Sequence, residues 1–124
     1  MDILEKLKNK NVLIAEDEMI NYIYIHEIFD EMGVNLIHAK NGQIAIEKMD
    51  SSIDIVLMDL KMPEVTGYEA TKVIRKKYPN IPIIALTAFA YQDEIEKALE
   101  SGCSGYLIKP FKKINFLELI DKWL

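Results

Sequence analysis

Ile53-Asp54-Ile55-Val56-Leu57-Met58-Asp59-Leu60-Lys61-Met62-Pro63-Glu64-Val65-Thr66-Gly67 is the stretch that decides the fold. A mostly apolar run closes on the carboxylate of Asp59, and the chain then breaks into a turn containing Pro63 and Gly67. That pattern describes a side chain presented at the carboxyl end of a strand, the edge at which open parallel sheets bind ligands. Three further runs end in the same way. Val12-Leu13-Ile14-Ala15 leads into Glu16-Asp17, Ile83-Ile84-Ala85-Leu86 into Thr87, and Tyr106-Leu107-Ile108 into Lys109-Pro110. Carboxylates, a hydroxyl and an ammonium meeting at one sheet edge suit a divalent cation and a phosphoryl group.

Outward from these runs, strand-like and helix-like segments alternate, the pattern of a parallel sheet covered by helices on both faces. Strands are expected near 11–15, 34–39, 54–58, 81–86 and 104–108, and helices near 18–32, 42–50, 64–78, 91–101 and 112–123. Gly33, Asn41-Gly42, Pro79-Asn80-Ile81-Pro82 and Ser101-Gly102 mark their ends. The runs at 54–58 and 81–86 are nearly all apolar, as central strands buried on both faces should be. Residues 1–10 form either a short leading helix or a linker remnant.

The chain of 124 residues is one domain by length, with 50% hydrophobic and 28% charged residues. A net charge of −5 argues against a nucleic-acid surface. The longest apolar stretch, Ile81 to Ala90, contains Pro82 and is too short to cross a bilayer. The charge-mixed amino terminus lacks a signal-peptide core, and the lone Cys103 allows no intrachain disulfide, so a cytoplasmic location is expected, on its own or as a domain of a membrane-bound kinase.

In this order, Glu16-Asp17, Asp59, Met62-Pro63 with Gly67, Thr87-Ala88 and Lys109-Pro110-Phe111 resemble the receiver (response-regulator) domain of two-component phosphorelays. The resemblance runs from Asn11 to Leu124, so that residues 1–124 form one receiver domain. It implies a flavodoxin-like (CheY-like) doubly wound sheet of five parallel strands in the order 2-1-3-4-5. Glu16-Asp17-Glu18 with Asn21, and Ile83 to Ala88, look more particularly like receivers carried by hybrid sensor histidine kinases. The partners so implied are a histidine kinase or a histidine phosphotransfer domain, with no direct contact to nucleic acid or membrane.

By the same resemblance Asp59 is the phosphoacceptor, a carboxylate that takes the phosphoryl group as an acyl phosphate. Mg2+ (or Mn2+) is held by Asp17, Asp59 and the backbone carbonyl of Lys61, with Glu16 on a metal-bound water or on the cation itself. Lys109 pairs with Asp59 at rest and with a phosphoryl oxygen afterwards, and Pro110 occupies a cis-proline position. Thr87 donates its hydroxyl to the phosphoryl group, small Ala88 leaves room for the donor, and Tyr106 is the aromatic switch that turns inward as Thr87 moves. Lys61 and Phe89 tune the lifetime of the acyl phosphate; neither offers a group that orients water, which implies slow self-dephosphorylation. Taken singly, each has a plainer explanation: Glu16-Asp17 as a helix-start charge pair, Lys109 as a loop charge, Thr87 as a turn residue, Tyr106 as a half-buried strand tyrosine.

On a helical wheel of the first long helix, Asn21, Tyr24, Ile25, Ile28, Phe29 and Met32 form the core stripe, while Met19, Ile20, Tyr22 and Ile23 lie outside or at its border. This leaves an apolar patch beside Asp59 on which a phosphohistidine-bearing helix can dock. His26 and His38 are expected to face solvent. Phe116, Leu117, Leu119, Ile120, Trp123 and Leu124 make the last helix more apolar than one core face requires, which suggests a signalling or homodimer surface over 91–124. Other functions fit less well. A haloacid dehalogenase-type aspartyl-phosphate hydrolase typically carries a second Asp where Lys61 stands. A flavodoxin-like cofactor binder needs a hydroxyl- and Gly-rich loop where Glu16-Asp17-Glu18 stands. A receiver that binds partners without phosphorylation is hard to square with intact Asp59, Asp17, Thr87 and Lys109.

Overall fold

A computed structural model describes residues 2–124. The elements run α1 (Ile3–Leu7), β1 (Asn11–Ala15), α2 (Met19–Phe29), β2 (Asn35–Ala39), α3 (Gly42–Lys48), β3 (Ile55–Asp59), α4 (Gly67–Lys77), β4 (Ile83–Thr87), α5 (Gln92–Ser101), β5 (Gly105–Ile108) and α6 (Lys113–Trp123). The five strands pair in parallel in the order β2-β1-β3-β4-β5, as expected.

Alternation along the central strands sends successive side chains to opposite faces and so builds two cores. On one face Leu13, Val56, Met58, Ile83 and Ala85 pack with Ala45, Ala70, Ile74 and Ala98 of α3, α4 and α5. On the other Val12, Ile14, Ile55, Leu57, Ile84 and Leu86 meet Ile25, Ile28 and Phe29 of α2 and Phe116 and Ile120 of α6. Covered on both sides, β3 and β4 are buried throughout, which explains their unbroken apolar runs.

Several element ends differ from the expected ones for local reasons. β4 starts at Ile83 because Pro82 has no N–H to give the ladder, although its carbonyl accepts from Val56 N at 3.0 Å. α2 stops at Phe29, where Asp30 leaves helical geometry and Glu31 and Gly33 adopt φ of 63° and 73°. α4 begins at Gly67 rather than 64, because Thr66 and Glu69 form a reciprocal capping box. The leading residues form a helix: Leu7 is buried in the second core, Ile3 packs against it, and Lys6 Nζ lies 2.8 Å from Asp121 Oδ1 of α6. α1 therefore helps to account for the apolar breadth of α6, since Leu117, Leu119, Trp123 and Leu124 are partly buried against the same core. Of the last helix's large apolar residues, Ile114 is the exposed one.

Candidate functional site

Parallel register brings the expected residues to one edge. β1 ends in Ala15 beside Met58, so Glu16 and Asp17 follow next to Asp59. Asp59 pairs in register with Leu86, placing Thr87 one residue on, and Lys109 N donates to Thr87 O at 2.7 Å. The tight approach of α4 to the end of β3 depends on Gly67. A Cβ there would collide with the Asp59 carbonyl and lie 2.7 Å from Leu60 Cα. Gly67 N instead donates to Leu60 O at 3.1 Å and pins the turn.

Glu16 and Asp59 are buried and Asp17 is exposed, with one oxygen from each lying within 4.8 Å of the others. The Lys109 ammonium sits 2.9 Å from Glu16 Oε2 and 3.5 Å from Asp59 Oδ2. The expected Lys109–Asp59 pair is thus shared, and Glu16 is the nearer partner. Glu16 is the more completely buried carboxylate, so the ammonium compensates it first. Its other oxygen accepts from Asn21 Nδ2 at 3.2 Å and from Glu18 N at 3.3 Å. Asp59 Oδ1 accepts from Lys61 N at 3.2 Å. Even so, burial first and the Glu16 charge second push the Asp59 carboxyl up to about 7, against the opposing pull of Lys109. A divalent cation would relieve that crowding, and an all-oxygen donor set with two buried carboxylates suits Mg2+. The Glu16, Asp17 and Asp59 cluster is the acidic Mg2+ site that the resemblance to receivers implies.

Thr87 is buried; its Oγ1 accepts from Phe89 N at 3.1 Å, a local turn contact rather than one to Asp59. Ala88 and Phe89 are exposed at the mouth of the site, and Phe89 stacks on Tyr91 with ring centroids 5.9 Å apart. Tyr106 on the edge strand β5 is 41% exposed. The Lys109–Pro110 peptide is cis.

Two of the expectations need correction, one on α2 and one on β2. Tyr24 is 41% exposed and outside the core; it leans on Phe111 and its hydroxyl donates to Phe111 O at 2.6 Å. His38 is not solvent-facing. Its ring stacks on Tyr22 at 3.8 Å, and Nε2 donates to the Glu16 carbonyl at 2.8 Å, tying β2 to the acidic loop. Met19, Ile20 and Ile23 are exposed as expected, Ile20 at 82%, and so is His26. Ile20, Tyr24, Ala88, Lys109, Pro110 and Phe111 line a largely apolar cleft of about 620 Å³ beside the acidic cluster.

Sequence reasoning also missed Tyr68 and Glu94. The Tyr68 hydroxyl donates to Glu94 Oε2, the same oxygen that Lys61 Nζ approaches at 3.5 Å. Nothing in the spacing of these residues announces the contact, because it joins α4 to α5, neighbouring helices on one face of the sheet.

The comparisons agree with this geometry. The family description "Response regulator receiver domain" matches residues 12–121, and the chain belongs to that family. It is 34% identical over 118 residues to the polar-differentiation response regulator DivK of Brucella anthropi, covering 93% of this chain and 96% of that one. The crystal structure of the receiver domain of sensor histidine kinase PA1611 from Pseudomonas aeruginosa, with magnesium coordinated in its active-site cleft, superposes with a TM-score of 0.83 at 32% identity, covering 93% of this chain and 97% of that one. The receiver domain of Ssk1, in its co-crystal structure with the histidine phosphotransfer protein Ypd1 from Saccharomyces cerevisiae, gives 0.86 at 32% identity, with coverage of 94% and 90%.

Proposed function

We propose that this receiver takes a phosphoryl group on Asp59 from a phosphohistidine of a histidine kinase or phosphotransfer protein, then relays it or changes partner. The observation that carries this reading is the meeting of buried Asp59 with Glu16, Asp17 and the Lys109 ammonium in one cluster. An Asp59 carboxylate oxygen attacks phosphorus; the new O–P bond forms as the N–P bond breaks, and the electron pair leaves with the imidazole nitrogen. Asp17, Asp59 and the Lys61 carbonyl would hold Mg2+, with Glu16 on its water shell or directly on it, and the ion supplies charge neutralisation at the phosphoryl oxygens. Lys109, already between Glu16 and Asp59, follows the charge onto the phosphoryl group. Thr87 then exchanges its turn contact for a phosphoryl oxygen, and Tyr106 turns inward, a population shift between two packings.

The cleft beside α2, together with exposed Met19, Ile20 and Ile23, is the surface we assign to the phosphohistidine-bearing helix. The Ssk1–Ypd1 complex supports a phosphotransfer protein as that partner. For the wider context we infer a hybrid sensor histidine kinase, supported by Glu16-Asp17-Glu18 with Asn21 and by the likeness to the PA1611 receiver. The match to DivK over 96% of its length supports a free-standing regulator, and the phosphoryl chemistry is common to both. A homodimer through 91–124 would use exposed Leu99, Tyr106 and Ile114.

The test is the intact mass of the protein and of Asp59→Ala after acetyl phosphate, with and without Mg2+. A gain of one phosphoryl group that needs both Asp59 and Mg2+ is expected. Phosphoryl uptake by Asp59→Ala at unchanged yield would overturn the assignment, and rapid release of phosphate with no covalent product would favour a hydrolase.

A further inference from the structure

The Asp59 side of the site opens through a mouth of about 260 Å³, bordered by Glu18, Asn21, Lys61, Ala88, Phe89 and Lys109. Lys61 and Phe89 are a neighbouring pair in that border, with Lys61 Nζ 5.9 Å from the Phe89 ring centroid. A lysine that is 50% exposed would ordinarily sample many rotamers. Here two contacts from outside the site restrain it. Its ammonium lies 3.5 Å from Glu94 Oε2 and 5.7 Å from the centroid of the Tyr68 ring. Glu94 is in turn held by the hydroxyl of Tyr68, a buried residue of α4, and Lys97 covers the same ring at 4.3 Å.

We propose that Glu94 is a positioning residue which, anchored by Tyr68, holds Lys61 against Phe89 and thereby slows hydrolysis of the Asp59 acyl phosphate. The inference rests on the phosphoacceptor function proposed above. In hydrolysis a water oxygen attacks phosphorus from the side opposite Asp59 and the Asp59 O–P bond breaks. The electron pair returns to the carboxylate, and inorganic phosphate and a proton leave to solvent. This mouth, unlike the larger cleft beside α2, is lined by Asp59 itself, and it is the path we assign to the attacking water. Neither Lys61 nor Phe89 offers an acceptor that could orient it or take its proton. Held together, the two side chains narrow the approach without assisting the reaction. Releasing the ammonium from Glu94 lets Lys61 swing clear and admits water.

The experiment is the rate of phosphoryl loss, followed by intact mass after acetyl phosphate and Mg2+ and removal of the donor. It compares wild type, Glu94→Gln, Lys61→Met and the double variant, with far-UV circular dichroism showing that each is folded. Glu94→Gln keeps a hydrogen-bond acceptor for Tyr68 and removes the charge that holds Lys61. Each single variant should lose phosphoryl at least about threefold faster than wild type, and the double variant no faster than Lys61→Met alone. A residue that only stabilises α5 would give independent, multiplying effects, so that outcome overturns the proposal. So do single variants with the wild-type rate. A wild-type chain that gains no phosphoryl group overturns the phosphoacceptor function and this inference with it. Wild-type uptake with unaltered loss in the variants overturns this inference alone.

Discussion

Replacing Asp59 by Asn removes a buried negative charge while keeping its shape, and should stabilise the metal-free protein in a pH-dependent way. Burial and the Glu16 charge push the folded-state carboxyl up to about 7 from its ordinary 3.8, a difference equivalent to about 4 kcal/mol. Because the folded value is raised, the folded chain keeps a proton that the unfolded chain has lost. Wild-type stability therefore falls as pH rises from about 4 to about 7, with the full cost present above about 7. Asp59→Asn escapes this cost. Its advantage should grow by about 2–3 kcal/mol between about pH 5 and about pH 8, reduced to the extent that Lys109 loses its second partner. Urea unfolding of both proteins across that range, in chelator, measures the difference. Added Mg2+ should then stabilise wild type more than the variant, by about 3 kcal/mol at a hundredfold excess over the dissociation constant if the variant no longer binds it. A stability difference that stays flat from pH 5 to pH 8 would refute the assignment of the raised carboxyl to Asp59 and the crowding explanation with it.

Lys109→Ala leaves the Glu16 and Asp59 carboxylates without their shared cation, so it should cost about 3–5 kcal/mol near neutral pH, with Mg2+ restoring part of it in the same urea assay. It should also uncouple phosphorylation from the Tyr106 surface; a normal phosphorylation-dependent tyrosine spectral change would contradict that role. Gly67→Ala drives a methyl into the Asp59 backbone carbonyl and should destabilise by about 1–3 kcal/mol or more, with weaker Mg2+ binding read by calorimetry. Phe116→Ala, which opens a void between Phe29 and Phe111, should cost about 3–5 kcal/mol in thermal unfolding while leaving the acidic cluster in place.

Much of this was legible in the chain because it depends on local order. Strand ends are fixed by where the apolar runs stop, so Glu16-Asp17, Asp59, Thr87 and Lys109 announced themselves as residues of one sheet edge. The helix end at Gly102, whose φ of 116° suits glycine, was also readable, whereas the start of α4 was placed three residues early because its Thr66–Glu69 capping box went unread. Helix faces were less legible. A wheel assigns Tyr24 to the stripe, but its contact with Phe111 is made from the rim of α2, which only the packing of the segment between β5 and α6 decides.

By itself, then, the sequence determined the alternating architecture, the central strands and the residue types that meet at their carboxyl ends, because periodicity and turn chemistry act over a few neighbours. Only the tertiary structure decided how those residues share charge. Lys109 sits 93 positions from Glu16 and closer to it than to Asp59, His38 bonds the Glu16 carbonyl, and Glu94 reaches Lys61 from another helix. Such contacts depend on distances between elements, which the sheet register and helix packing set and which no spacing along the chain encodes.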